Sequence, residues 1–143
     1  MRRVVVTGMG IVSCLGNAAD SVSRALRDGI GGLCAIPDYA ARGLRSQVAG
    51  VPQIDLAAEI DRKLKRFMGD AAGYACVAMR EAIADAGLAL ERIRHPRIGV
   101  IAGSGGGSAQ WQIETGDLLR EKGVRRVGPY MVRSEEHTSD PTW

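Results

Sequence analysis

Apolar residues recur at three- and four-residue spacing from about Arg62 to Ala86, through Leu64, Phe67, Met68, Ala71, Ala75, Ala78, Met79, Ala82 and Ala86. That period marks one buried helical face. So many alanines imply a neighbour that approaches closely. Gly87 stands where a helix would end, while Gly69 and Gly73 lie inside the stretch. An interior glycine costs a helix about 1 kcal/mol, so two helices meeting near Gly69 also fit the pattern. A second helix is predicted after Asn17, which can cap it, with Asp20 in its first turn and Gly29 beyond its end. Val22, Ala25 and Leu26 would form its inner face. A third helical stretch runs from about Ala109 to Glu121.

Two runs are continuously apolar rather than periodic. Arg3 to Val6 leads into Thr7-Gly8-Met9-Gly10, and Ile98 to Ala102 leads into Gly103-Ser104-Gly105-Gly106-Gly107-Ser108. Each reads as a short strand buried on both faces. Gln47 to Val51 suggests an edge strand ended by Pro52, and residues 29–44, glycine-rich with Pro37, read as loop. The order strand, helix, edge strand, long helix, strand, helix favours an α/β fold, a mixed or parallel sheet with helices on its faces. From Arg133 the chain turns polar and loses periodicity.

The 143 residues, 45% hydrophobic and 24% charged, are enough for an ordinary core. Nineteen glycines against 4% aromatics shift the expected packing toward small residues and glycine loops. The net charge of +3 is too small to argue for nucleic acid. Cys14, Cys34 and Cys76 form neither a CxxC pair nor a metal spacing, which favours a reducing compartment. No run approaches the roughly 20 apolar residues of a membrane span. The expectation is a soluble cytoplasmic protein with no membrane or nucleic-acid partner, no metal and no cofactor.

Three motifs could carry chemistry. Gly8 and Gly10 follow a strand, as in a dinucleotide-binding turn, but Ser13 occupies the third glycine position and no acid lies between Asp28 and Asp38. Close backbone packing is the better reading. The Gly103–Ser108 loop could cradle phosphate before a helix, yet it lacks the lysine of a nucleotide-triphosphate loop. Arg62, Lys65 and Arg66 share one helix face, echoed by Arg120, Lys122, Arg125 and Arg126. Such a face is either solvated or a dock for an acidic or phosphorylated partner. Stacking aromatics are not interleaved with these charges, which weakens an RNA or DNA reading. His95, His137 and the cysteines assemble no nucleophilic set.

Taken together, RRVVVTGMGIVSCLGN, DRKLKRFM, EAIADAGL, IGVIAGSGGGS and VGPYMV resemble the N-terminal part of the elongating β-ketoacyl-acyl-carrier-protein synthases of type I. The resemblance is collinear from Met1 to about Val132. It implies an incomplete thiolase-like fold, a mixed sheet flanked by helices. It also implies an acyltransferase family that extends fatty acids by decarboxylative condensation with malonyl-carrier protein. The family's nucleophilic cysteine, in a Ser-Ala-Cys motif, and its two histidines match nothing here, so no catalytic residue carries over and the chain alone is expected to be inactive. Arg62, Lys63 and Arg66, with Lys122 and Arg125, match positions that meet the acidic carrier protein, and the implied partner is that protein with its acyl-phosphopantetheine. Gly106 matches a position near the acyl pocket. Family members form homodimers. Residues 1–132 are expected to be a partial ketoacyl-synthase domain. Residues 133–143, SEEHTSDPTW at their end, depart from the family and suggest a truncated, chimeric reading frame. The alternatives are a non-catalytic carrier-protein-binding module and a nucleotide-binding α/β domain.

Overall fold

Strand formation requires a partner for each ladder hydrogen bond, and this requirement separates the apolar runs that pair from those that do not. The computed structural model describes residues 3–128 and Met131. His137 and the tail expected at 133–143 lie outside the described residues. The chain divides into two compact units, Met1–Asp55 with Val77–Gly87, and Leu56–Cys76 with Leu88–Trp143.

In the first unit, helix α1 spans Ala19–Arg27, strand β1 Leu33–Ala35, helix α2 Pro37–Ala41 and strand β2 Val48–Gly50. The expected edge strand is therefore present. Its partner β1 lies within the stretch read as loop, and the two pair antiparallel with Leu33 opposite Gly50, Cys34 opposite Ala49 and Ala35 opposite Val48. The glycines at 31 and 32 masked a three-residue strand. Pro37 opens α2 rather than breaking it, since its missing N–H is one that a first turn leaves unbonded anyway.

The cap of α1 also differs from expectation. Ala18 is the capping residue, and Ser21 Oγ accepts from its N–H at 3.3 Å and donates to its carbonyl at 2.8 Å. Asn17 instead donates from Nδ2 to the Gln53 carbonyl at 2.8 Å. Val22 and Ala25 are buried as expected, while Leu26 is 67% exposed because the buried stripe of this nine-residue helix is narrow.

Residues 3–12 form no strand, which corrects the expectation at Arg3 to Val6. Val4 is 91% exposed and Val6 82%. What orders the segment just beyond them is helix α5, Asp70–Asp85, whose residues from Val77 onward belong to the same unit. A Cβ on Gly8 would come within 2.6 Å of the Ala86 nitrogen, and one on Gly10 would overlap the Ala78 carbonyl oxygen. Alongside these contacts, Met9 N–H donates to Asp85 Oδ2 at 2.9 Å and Ile11 N–H to Glu81 Oε2 at 2.9 Å. The second Glu81 oxygen accepts from Ala19 N–H at 3.1 Å, at the start of α1. One carboxylate thus ties two segments to α5, and the Gly-Met-Gly turn is a packing device, as the glycine pattern suggested.

The second unit holds helices α3, Leu56–Glu59, and α4, Arg62–Lys65, the first part of α5, helix α6, Leu90–Ile93, and helix α7, Ala109–Lys122. The predicted long helix is two helices with a break before Asp70. Gly69 supplies the carbonyl that accepts the Gly73 N–H at 3.1 Å. Leu56, Ile60 and Met68 are the buried apolar residues of this unit. Gly73 lets α5 reach them, for a Cβ there would stand 2.8 Å from Leu56 Cδ1. Gly87, at φ +62, closes α5 as expected. Ser108 caps α7, accepting the Trp111 N–H at 3.3 Å.

The run Ile98 to Ala102, expected as a second buried strand, forms none. Ile98, Val100 and Ile101 are exposed, and no strand pairs with them among the described residues. Their composition suits a strand, but β-propensity without a ladder does not make one. No described helix is long and apolar enough to cross a membrane.

Candidate docking surface

Asp61 sets the geometry of the basic helix. It caps α4, its Oδ1 accepting the Lys63 N–H at 2.7 Å. Ile60, one residue earlier, is buried against Gly73, so the start of α4 is held to α5 by an apolar anchor. The four residues Arg62–Lys65 then form a short turn of helix, with Arg66 just beyond it.

The cations differ in what they touch. Lys65 is half-buried, and its Nζ makes an ion pair with Asp70 Oδ1 at 2.9 Å. The Arg66 guanidinium lies over the Phe67 ring, 4.4 Å from its centroid, a cation–π contact. Arg62 and Lys63 are exposed. Neither has a carboxylate within ion-pair distance among the described residues. The electrostatic result is a positive surface, internally neutralised at Lys65 and open at Arg62 and Lys63.

A cavity of about 360 Å³ lies at this surface, lined by Ala57, Ile60, Arg62, Lys65 and Arg66. The structure therefore gathers the three cations of the predicted helix face around one recess. Lys63 is on the same helix but does not line it. Lys122 ends α7, and Arg125 lies past Gly123 in a 3₁₀ turn, Val124–Arg126, both exposed. They form a second basic cluster of the same unit and do not contribute to this cavity. Arg120 is engaged locally with Asp117 at 3.0 Å.

Gly106 is exposed, with open space where a side chain would extend. Its carbonyl accepts from Ser104 Oγ at 2.8 Å. Cys14 and Cys76 are half-buried, Cys34 is exposed, and all three are free thiols. His95 Nδ1 accepts the Arg97 N–H at 3.2 Å. Among the described residues no group of three His, Cys, Asp or Glu side chains converges as a metal site would require.

Three features of the surface escaped sequence reasoning. The Lys65–Asp70 pair could have been suspected from opposite charges five residues apart. The Phe67 contact had the signal of an aromatic beside an arginine. The lining of the recess by Ala57 and Ile60 had no local signal.

Residues 1–139 match the family model for the beta-ketoacyl synthase N-terminal domain. In sequence, the chain is 46% identical over 134 residues to 3-oxoacyl-acyl-carrier-protein synthase 1 of Escherichia coli K12, covering 92% of this chain and 33% of that relative. The chain thus spans about a third of the length of the curated relatives it matches. In structure, it superposes on a beta-ketoacyl synthase from Burkholderia phymatum STM815 with a TM-score of 0.74 at 36% identity, over 92% of this chain and 33% of that one. A more distant structure, the AntDE:AntF complex of a type II polyketide-synthase acyl-carrier protein with its ketosynthase, gives a TM-score of 0.68 at 24% identity, over 92% of this chain and 34% of that one. At that identity the likeness shows the fold alone, a thiolase-like α/β architecture.

Proposed function

The chain belongs to the beta-ketoacyl synthase family through its N-terminal domain, and from that premise we propose that it supplies the carrier-protein-docking part of a cytoplasmic fatty-acid-elongating transferase. The reaction of the whole enzyme is a decarboxylative condensation. An acyl group held as a cysteine thioester is attacked by the carbanion left when malonyl-carrier protein loses carbon dioxide. The 3-oxoacyl-carrier product leaves and the cysteine thiol is regenerated. None of the residues described above is assigned the nucleophile's or the histidines' role.

The observation that supports this reading is the pair Arg62 and Lys63, exposed beside Arg66 without a carboxylate of their own. Unneutralised cations on an anchored helix suit an acidic partner, which long-range attraction steers and salt screens. Lys122 and Arg125 extend the charge within the same unit. Gly106 stands beside the acyl pocket, where the missing side chain leaves room for the acyl chain. The enzyme pairs as a homodimer, and residues 133–143 lie outside the domain, although the family match runs to residue 139. A native gene that reads through SEEHTSDPTW without interruption would overturn that boundary.

Nucleotide binding at the first glycine turn has little support, since Gly8 and Gly10 are closed against α5. The test of docking is a titration of purified acyl carrier protein against the chain at low and high salt. Association is expected at low salt and should weaken steeply as salt rises. The triple variant Arg62→Glu/Lys63→Glu/Arg66→Glu should bind at least about tenfold more weakly at low salt, a loss of about 1.4 kcal/mol. Equal binding by this variant would overturn the reading.

A further inference from the structure

Arginines crowd the end of α6, away from the residues used for docking. Arg92 lies in its last turn, Arg94 caps it, and His95, Pro96 and Arg97 lead on to Ile98. Backbone hydrogen bonds hold this turn: His95 N–H donates to the Arg92 carbonyl at 3.1 Å, and Ile98 N–H to the His95 carbonyl at 2.9 Å. Arg92, His95, Arg97 and Ile98 line a recess of about 320 Å³ that shares no residue with the one at α4. Arg92 and Arg97 are exposed and pair with no carboxylate among the described residues, and neighbouring Glu91 does not line the recess. His95 Nδ1 accepts the Arg97 N–H at 3.2 Å. A ring nitrogen that accepts carries no proton, so the proton stands on Nε2, which has no partner among the described residues and is left to donate.

Two planar guanidinium forks and one imidazole N–H on the same hollow match a group with several oxygens spread in three dimensions. A carboxylate, with two oxygens in one plane, engages only part of that set. Arg92, Arg94 and Arg97 also repel one another, and a compact dianion relieves that repulsion. The recess falls at the lower end of small-ligand pockets, about 300–1,000 Å³. Ile98, 43% exposed, is the apolar member of its lining. We propose that this recess binds the phosphate group of a small phosphate monoester, with Arg92 and Arg97 on its oxygens, His95 Nε2–H as a third donor and the organic part against Ile98. The site is independent of carrier-protein docking and stands or falls without it.

The experiment is an amide-shift titration of the isotope-labelled full chain with phenyl phosphate, inorganic phosphate and phenol, at one ionic strength held with sodium chloride. Phenyl phosphate should move the amides of residues 92–98 saturably and bind at least about fivefold more tightly than inorganic phosphate. Phenol should not bind. Arg92→Gln/Arg97→Gln should weaken phenyl phosphate at least about tenfold. Arg94→Gln removes the same kind of charge beside the recess without altering its lining, and should stay within about twofold. Ile98→Ser should weaken phenyl phosphate and leave inorganic phosphate almost unchanged. The three-ligand comparison uses the unaltered chain and so does not depend on the folding of any variant. Inorganic phosphate binding as tightly as phenyl phosphate overturns the ester reading in favour of free phosphate. No saturable shift at 92–98, shifts centred on 57–66 or 122–126 instead, or equal losses in Arg94→Gln and the double variant overturn the site.

Discussion

Two segments of this protein share one sequence pattern and reach opposite states. Val4-Val5-Val6-Thr7-Gly8-Met9-Gly10 and Ile98-Gly99-Val100-Ile101-Ala102-Gly103 each run from a strand-like apolar stretch into glycines. In the first, Gly8 and Gly10 close against Ala78 and Ala82 of α5 and Ala86 just beyond it, and Asp85 and Glu81 accept the N–H groups of Met9 and Ile11. In the second, Gly103, Gly105 and Gly106 have open space around them. A glycine turn is thus a packing element when a helix supplies small residues and acceptors at the right pitch, and an open loop when none does. The difference lies in the partner, not in the motif.

The largest effect expected from this contrast is on association. Val4, Val6, Val100 and Ile101 are exposed apolar groups on segments that form no strand among the described residues. The 143-residue chain should self-associate in sedimentation velocity, and Val6→Lys/Ile101→Lys should shift it toward monomer. A monodisperse unaltered chain would show that these segments are covered in solution.

Next in size is the closed glycine turn. Gly10→Ala places a methyl into the Ala78 carbonyl, and overpacking against backbone should destabilise the first unit by about 3 kcal/mol. Gly106→Ala, facing open space, should change stability by less than about 0.5 kcal/mol. Denaturant midpoints of the two variants make the comparison, and equal losses would erase the distinction between the segments.

Glu81→Ala should cost about 2 kcal/mol, because the Ile11 and Ala19 N–H groups lose one shared acceptor. Amide exchange at those two positions should accelerate more than at Met9, which Asp85 still holds. Uniform acceleration would mean that Glu81 acts only through global stability. The smallest effect is expected for Lys65→Gln/Asp70→Asn. Removing a partly exposed ion pair should alter stability by less than about 1 kcal/mol.

The helices were legible because their information is local. The spacing of Leu64 through Ala86, the break at Gly69 and the stop at Gly87 all sit within a few residues of what they control. The basic surface was legible for the same reason, since Arg62, Lys65 and Arg66 fall on one turn. The sheet was not. Strand β1 is three residues long beside two glycines, and strands at 3–6 and 98–102 were inferred from composition while the ladder that makes a strand depends on distant chain. The Glu81 and Asp85 anchors join residues 70 and 76 positions apart, and no local pattern reveals such a distance. The same holds for the recess, which Ala57 and Ile60 line together with cations whose charge alone dominated the sequence pattern.

The most direct test of the account is amide-shift mapping of the isotope-labelled chain on addition of acyl carrier protein at low salt. The account predicts perturbations concentrated at residues 57–66, with weaker ones at 122–126, and their disappearance in Arg62→Glu/Lys63→Glu/Arg66→Glu. Perturbations centred on residues 98–107 with 57–66 unmoved, or none at all, would contradict it.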